Sequence, residues 1–583
     1  LSEGDSPGDL RTERGHVLIF GGDQVYPVAS RKEYRERLLV PYKSALECTG
    51  PPPGEAREDD PHPWVFATPG NHDWYDSLVS FTRLFCAGRW FAGWLTQQSR
   101  SYYALRLPGR WWLLGIDVQL GSDLDGAQVR FFERVAKEMG EDDRVILCTA
   151  EPHWVLADLY KEFDEEYSES NLKFFEEKVL GDRAQVFVYL AGDLHHYRRH
   201  EYRDRDGTTI QKITAGGGGA FLHPTHNMGR VNKSEEGIET KEGTRRGKET
   251  IRDSMLTREE KAARKNISAG GAGANCGAAV AGGKTAGRVF TLEACFPGQD
   301  ASRRAGLGNL AFVWHNRKFG LITGALYWLS SWVVVGYVSE FDRGNAGGRL
   351  PFWENLFRTA RLEFPDAALA FWLAVIMSGF VLFTESHSKL YRWAAGIVHG
   401  LAHVLAVGAL SVVAYYVALR SGLDPTPDPR QGGALLSLLV MFGTHLLIAA
   451  FIFFGGWVVG SFIMGVYLWA SFNLFGRHYN EAFSALKIED WKHFLRLRID
   501  AEGNLEIYPI GIPKVPRRWR EAKGADAAAH ATAKFVPGNT SGEDGGIELI
   551  LIEPPVRLPS PDGQFRESAT PVRPGDATEE PHA

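Results

Sequence analysis

Four stretches of the chain end in side chains that can grip a metal ion or move a proton, and each follows a run of apolar residues. Val17-Leu18-Ile19-Phe20 gives way to Gly21-Gly22-Asp23. Val65-Phe66-Ala67 leads through Thr68-Pro69-Gly70 to Asn71-His72-Asp73. Val145-Ile146-Leu147-Cys148 leads to Glu151-Pro152-His153, and Val186-Phe187-Val188-Tyr189-Leu190-Ala191 to Gly192-Asp193-Leu194-His195-His196. Short apolar runs stopped by turn residues read as buried strands. Open α/β sheets collect their ligands at the carboxyl ends of such strands. Packing alone does not require four strand ends to carry oxygen and nitrogen donors.

Carboxylate, amide oxygen and imidazole together suit a hard or borderline divalent ion. Two ions sharing one aspartate polarise a phosphoryl oxygen and yield hydroxide near neutral pH. Asp23, at a rigid strand end, is the natural bridge, and Asn71 offers a neutral amide oxygen. His153 and His195 are the natural imidazole ligands. His72 is placed to meet a phosphate oxygen or to protonate a leaving group, with Asp73 expected to orient its ring. His196, on the far side of an alternating strand from His195, is a pocket or surface group. His223 and His226, beyond Gly216-Gly217-Gly218-Gly219, are further pocket candidates. The four glycines serve either close approach of backbone to a ligand or a tight loop.

The elements that must hold these residues alternate between strand and helix over residues 1–228. Arg31–Leu46 and Gln128–Met139 have helical spacing, and Ser101–Leu107 with Trp111–Ile116 forms a hairpin around Pro108-Gly109. Trp74–Leu95 is aromatic, helical or loop-like, and lies over the site. The expectation is an α/β layered domain.

The ordered set Gly22-Asp23, Gly70-Asn71-His72-Asp73, His153 and Gly192-Asp193-Leu194-His195 resembles the signature of calcineurin-like metallophosphoesterases, over roughly residues 15–228. That resemblance implies a β-sandwich flanked by helices with two divalent ions (Mn, Fe, Mg or Zn). Asp23 would bridge them, Asn71 and His153 would hold one, and His195 the other. His72 matches the histidine that assists leaving-group departure. Two departures stand out. The family's opening Asp-x-His block is not visible and is expected upstream of Leu1. Asp193 stands where the family has a histidine; an aspartate there still binds Mn, Fe or Mg and favours harder ions. The larger whole resembles membrane-attached bacterial members of this family.

Size and charge bound the rest. A chain of 583 residues is too long for one core. A net charge of −6 leaves no nucleic-acid footprint. Five scattered cysteines without CxxC spacing support neither a zinc knuckle nor a disulfide scaffold, and point to a reducing compartment. Residues 229–308, rich in Lys, Arg, Glu, Gly and Ala, read as a flexible linker or insertion. Gly282-Gly283-Lys284-Thr285 within it misses the P-loop pattern by one residue and follows no strand.

Residues 309–476 read as an all-α transmembrane domain of four to five spans: Phe319–Val338, Ala367–Phe383, Ala394–Leu419, Ala434–Phe454 and Trp457–Phe475. The last two, separated only by Gly455-Gly456, form either a tight helical hairpin or one broken element. His399 and His403, four apart in apolar surroundings, are either a functional pair or neutral groups bonded to neighbouring helices. Residues 477–557 read as a small β-rich soluble module, with a hairpin over Phe494–Asp500 and Leu505–Ile510 and a strand over Ile547–Ile552. Residues 558–583 read as a disordered tail.

The expected protein is thus a multi-pass membrane phosphoesterase, its catalytic domain cytoplasmic, acting on a phosphate mono- or diester. Its partners are that ester and the lipid bilayer, with no nucleic acid. The alternative is a catalytically weak or inactive sensor or regulator of the same fold. A transporter, supported only by His399, His403 and His445, ranks below both.

Overall fold

A computed structural model of the chain describes residues 15–45, 63–118, 121–159, 169–226, 250–252, 288–343, 350–361, 367–384, 388–423, 434–521, 535–538 and 547–560. The near-P-loop, the Pro-rich run 51–62 and the tail 561–583 lie outside the described residues. The chain divides into two units, one of residues 1–220, 231–298 and 489–583, the other of residues 221–230 and 299–488.

The first unit is mixed α/β. Strands β1 (Val17–Phe20), β2 (Trp64–Ala67), β3 (Trp90–Phe91) and β4 (Trp94–Thr96) form a sheet in the order β1-β2-β4-β3. β1 pairs parallel with β2, and β2 with β4. A second sheet contains β5 (Tyr103–Arg106), β6 (Trp111–Gly115), β7 (Asp143–Cys148), β8 (Ala184–Ala191), β9 (Tyr197–Arg203), β10 (Thr209–Ala215), β11 (Thr250–Arg252) and β12 (Val289–Phe296). Its order is β11-β12-β9-β10-β8-β7-β6-β5, with β6, β7, β8 and β10 parallel. The last sheet joins β13 (Lys492–Ile499) to β14 (Leu505–Ile512); a separate two-stranded sheet pairs β15 (Trp519–Glu521) with β16 (Phe535–Pro537). β17 (Ile550–Leu551) and β18 (Val556–Leu558) both add to β14.

The apolar alternation of β1 explains its place. Val17 and Ile19 pack into one cluster with Phe66, Trp111, Ile146, Val188 and Ile213. Leu18 and Phe20 point the other way, into a cluster with Tyr34, Leu38, Phe81 and Phe85 from two helical segments. A strand covered on both faces must be apolar throughout.

Two boundaries differ from the sequence reading. The expected linker 229–308 contributes β11 and β12, and β12 pairs antiparallel with β9. The expected separate module 477–557 is not separate: from residue 489 the chain belongs to the first unit. Leu505, Ile507 and Leu558 are fully buried in the same cluster as Trp111 and Val188. A few short strands cannot bury an apolar face by themselves, so they share this core.

The second unit is helical. Its long helices are Arg317–Arg343, Ala367–Phe383, Lys389–Arg420 and Ala434–Phe475, with a short helix Phe352–Ala360. Among the described residues two helical stretches, Lys389–Arg420 and Leu438–Phe475, are long and apolar enough to cross a membrane. The Gly455-Gly456 pair does not make a hairpin: Ala434–Phe475 is one helix of 42 residues, about 63 Å at the α-helical rise. A Cβ on Gly455 would strike Leu410, and one on Gly456 would strike Tyr327. These glycines let neighbouring helices approach closely, as small residues do between apolar helices. His403 Nδ1 lies 2.8 Å from Tyr327 Oη, and its Nε2 3.2 Å from His399 Nε2. His399 stacks on Tyr467. His403 thus bonds to a neighbouring helix, while His399 bonds to His403 on its own helix and meets a neighbouring helix by stacking.

Candidate active site

The ends of β1, β2, β7 and β8 come together because glycines let their loops touch. A Cβ on Gly22 would sit 2.8 Å from Ala150 Cβ, which joins the β1 and β7 ends. A Cβ on Gly70 would fall 2.0 Å from Asp23 Oδ1, so only glycine allows the β2 loop to close over that carboxylate. Gly192 N–H donates to Ala150 O at 3.0 Å, joining the β7 and β8 ends.

Asp23 and Asp193 occupy equivalent positions, each directly after a glycine at a strand end. Both adopt left-handed backbone, with φ of +48° and +50°. Non-glycine residues hold that conformation at a cost, and such costs cluster at functional sites. Burial raises the Asp23 carboxyl pKa, and the neighbouring His72 opposes the rise. Burial holds the Asp193 carboxyl well above the usual range, and Asp23 and Glu151 push it further. Asp193 therefore feels the charge of two other acids, Asp23 and Glu151.

Asp23 Oδ1 and Asn71 Oδ1 both accept from the His72 backbone N–H, at 3.1 and 3.0 Å. Two of the predicted oxygen donors thus meet at one amide. The His72 ring has its Nε2 4.0 Å from Asp23 Oδ2. Its Nδ1 lies 2.5 Å from the Pro27 carbonyl and donates to it, which leaves Nε2 facing the site.

Asp73 does not orient that ring. It is fully buried, and it accepts from Tyr34 Oη, from Gly70 N–H at 2.8 Å and from Gln24 N–H at 3.3 Å. It ties the β1 and β2 loops together. Burial pushes its pKa up to about 7 against the pull of these donors. The ring-holding group is a backbone carbonyl, which has no signature in the sequence.

His153 opens the helix His153–Leu159, nearly buried, with Nε2 3.4 Å from Thr149 Oγ1. Burial lowers its pKa, against the charges of Glu151 and Glu169, and so favours the neutral ring that a metal ligand needs. His195 is nearly buried, and its ring stands 6.3 Å from that of Tyr26. A Cβ on Gly219 would strike the His195 ring, and one on Gly217 would strike His493. At these positions the glycine run serves close approach of backbone to neighbouring side chains.

The remaining pocket candidates fall elsewhere. His196 is fully buried. His223 and His226 belong to the helical unit. There His226 Nδ1 lies 2.7 Å from Ser302 Oγ and its ring packs on Phe472, while His223 packs against Phe221 and Tyr479. Glu151 was missed as a site residue. Its signal was present: it precedes Pro152-His153 at the tip of the third apolar run.

The donor chemistry suits a divalent cation: two carboxylates whose pKa burial raises, the Glu151 carboxylate whose charge acts on one of them, an amide oxygen and a neutral imidazole. Among the described residues, no three His, Cys, Asp or Glu side chains are already gathered tightly enough to form a metal-binding group. No protein-family model, curated protein or solved structure matches the chain.

Proposed function

We propose that the chain is a membrane-bound, metal-dependent phosphoesterase of the calcineurin-like kind. The observation that carries this reading is the pair Asp23 and Asp193. They sit at two strand ends, both in left-handed backbone, and burial together with the Asp23 charge raises the Asp193 pKa. Asp23, Asn71, His153, Asp193 and His195 would hold two divalent ions, with Glu151 beside them. Such ions supply a Lewis acid for the phosphoryl oxygen and hydroxide near neutral pH.

The protein's own groups do the rest. His72, held at Nδ1 by the Pro27 carbonyl, turns Nε2 to the ester, where it hydrogen-bonds a phosphate oxygen or hands a proton to the departing one. Asp73, Tyr34 and Gly70 keep the Asn71-His72 turn fixed. The test is hydrolysis of an aryl phosphodiester by the full chain with Mn²⁺. Turnover that disappears in Asp23→Asn supports the reading; no turnover, or turnover indifferent to that change, defeats it.

A catalytically silent sensor is the second reading. It is favoured by Asp193 in place of a histidine and by ligands that are not gathered into a tight group.

Connectivity supports the multi-pass reading. The first unit is built from chain on both sides of residues 299–488. Helices that cross between those two flanks cross an even number of times, and Lys389–Arg420 and Leu438–Phe475 are the described stretches long and apolar enough to do so.

A further inference from the structure

Two tyrosines bracket His72. The Tyr26 ring lies 4.4 Å from the imidazole, tilted by 53°, and the Tyr75 ring 4.8 Å away at 66°. Tyr26 also stands edge-on to His195. Tyr75 is 54% exposed and its neighbour Trp74 is 41% exposed, so both keep a face open to solvent. Trp74 is fixed by its indole N–H, which donates to Asp117 Oδ1 at 3.0 Å.

Holding the imidazole does not account for this collar. The Pro27 carbonyl already fixes Nδ1, and one packed ring would steady the plane. Core packing does not account for it either, because Tyr75 and Trp74 are exposed while the core aromatics Phe81, Phe85 and Phe91 are fully buried. Aromatic faces held open at the rim of an acidic site suit a neutral flat ring, which stacks by its π-face and brings no charge toward Asp23.

We propose that the collar of Tyr26, Trp74 and Tyr75 receives a flat ring carried on the ester, so that the substrate is an aryl or nucleoside phosphate rather than a phosphate of a saturated alcohol. This rests on the phosphoesterase reading for its chemistry, but not for its binding.

The test uses the full chain with Mn²⁺ and compares phenyl, adenosine 5′- and glycerol phosphates, each as monoester and as methyl diester. The readout is the ratio of kcat/KM for a ring-bearing ester to that for the glycerol ester, taken between variants so that intrinsic reactivity cancels. Stacking of a ring on an aromatic side chain gives an expected drop of about tenfold in that ratio for Tyr75→Leu. Tyr75→Phe, which keeps the ring, restores it. A larger drop for the adenosine ester assigns a nucleoside, and a larger drop for the phenyl ester an aryl group. A ratio unchanged in Tyr75→Leu overturns the proposal, because the ring would then act only on His72. Calorimetric binding of the same esters separates the two readings. Ring-selective binding that Tyr75→Leu abolishes, without turnover, sinks the phosphoesterase and keeps the ring site. Turnover without ring selectivity does the reverse.

Discussion

At the scale of single residues, the account turns on how Asp23 and Asp73 differ. Both are acids in the same pair of loops, yet only Asp23 faces the site. Asp73 is spent on Tyr34, Gly70 and Gln24. Asp23→Asn should lower turnover at least about a hundredfold while leaving the melting temperature near that of the parent protein, as loss of transition-state electrostatics does. Asp73→Ala should act the other way round in its first effect. It strands buried donors, at a cost of about 1–3 kcal/mol, and lowers the melting temperature in a thermal scan. A variant Asp73→Ala as stable as the parent would contradict the tying role. The donor types were legible in the sequence because strand ends in Gly-Asp and Gly-Asn-His-Asp are local patterns. The role of Asp73 was not, because a hydrogen bond to Tyr34 spans 39 residues and no spacing announces it.

At the scale of elements, loop convergence depends on a few positions where any side chain would intrude. Gly70→Ala should displace Asp23, since the new methyl would fall on its carboxylate and backbone. The expected result is loss of activity together with about 1–3 kcal/mol of stability, measured by denaturant unfolding. His493, on β13 and packed near Gly217, gives a pH signature. Burial depresses its pKa to about 3. Between about pH 6.5 and 3 the unfolded chain therefore takes a proton that the folded chain refuses, so stability falls as pH falls through that window. At pH 5 the effect is about 2 kcal/mol. The parent protein should lose more stability than His493→Leu between pH 7.5 and pH 5. Equal losses would show that the ring accepts protons in the fold. The strands β13 and β14 were visible in the sequence from their alternation and turn. β12 was not, because eight residues with a bulge, Val289–Phe296, are too short a signal next to a low-complexity stretch. The Gly455-Gly456 pair misled for a similar reason: glycines that break a helix and glycines that pack one read alike.

At the scale of the whole molecule, the helical unit interrupts the α/β unit rather than following it. Pairwise burial between residues more than 300 positions apart, such as Trp111 with Leu505, has no trace in local periodicity. This interruption makes a sharp prediction about topology. Reporters inserted in the chain near residue 298 and near residue 489 should label from the same side of the membrane, and one near residue 423 from the opposite side if four helices cross. Labels at 298 and 489 on opposite sides would contradict a first unit assembled from both flanks.

The central claim is that Asp23, Asn71, His153, Asp193 and His195 converge to hold divalent metal. Equilibrium binding of Mn²⁺ to the purified full chain, followed by electron paramagnetic resonance, tests it most directly. The account predicts about two ions per chain, with binding lost in the double variant Asp23→Asn, Asp193→Asn. A chain that binds no Mn²⁺, or whose binding survives that double change, would contradict it.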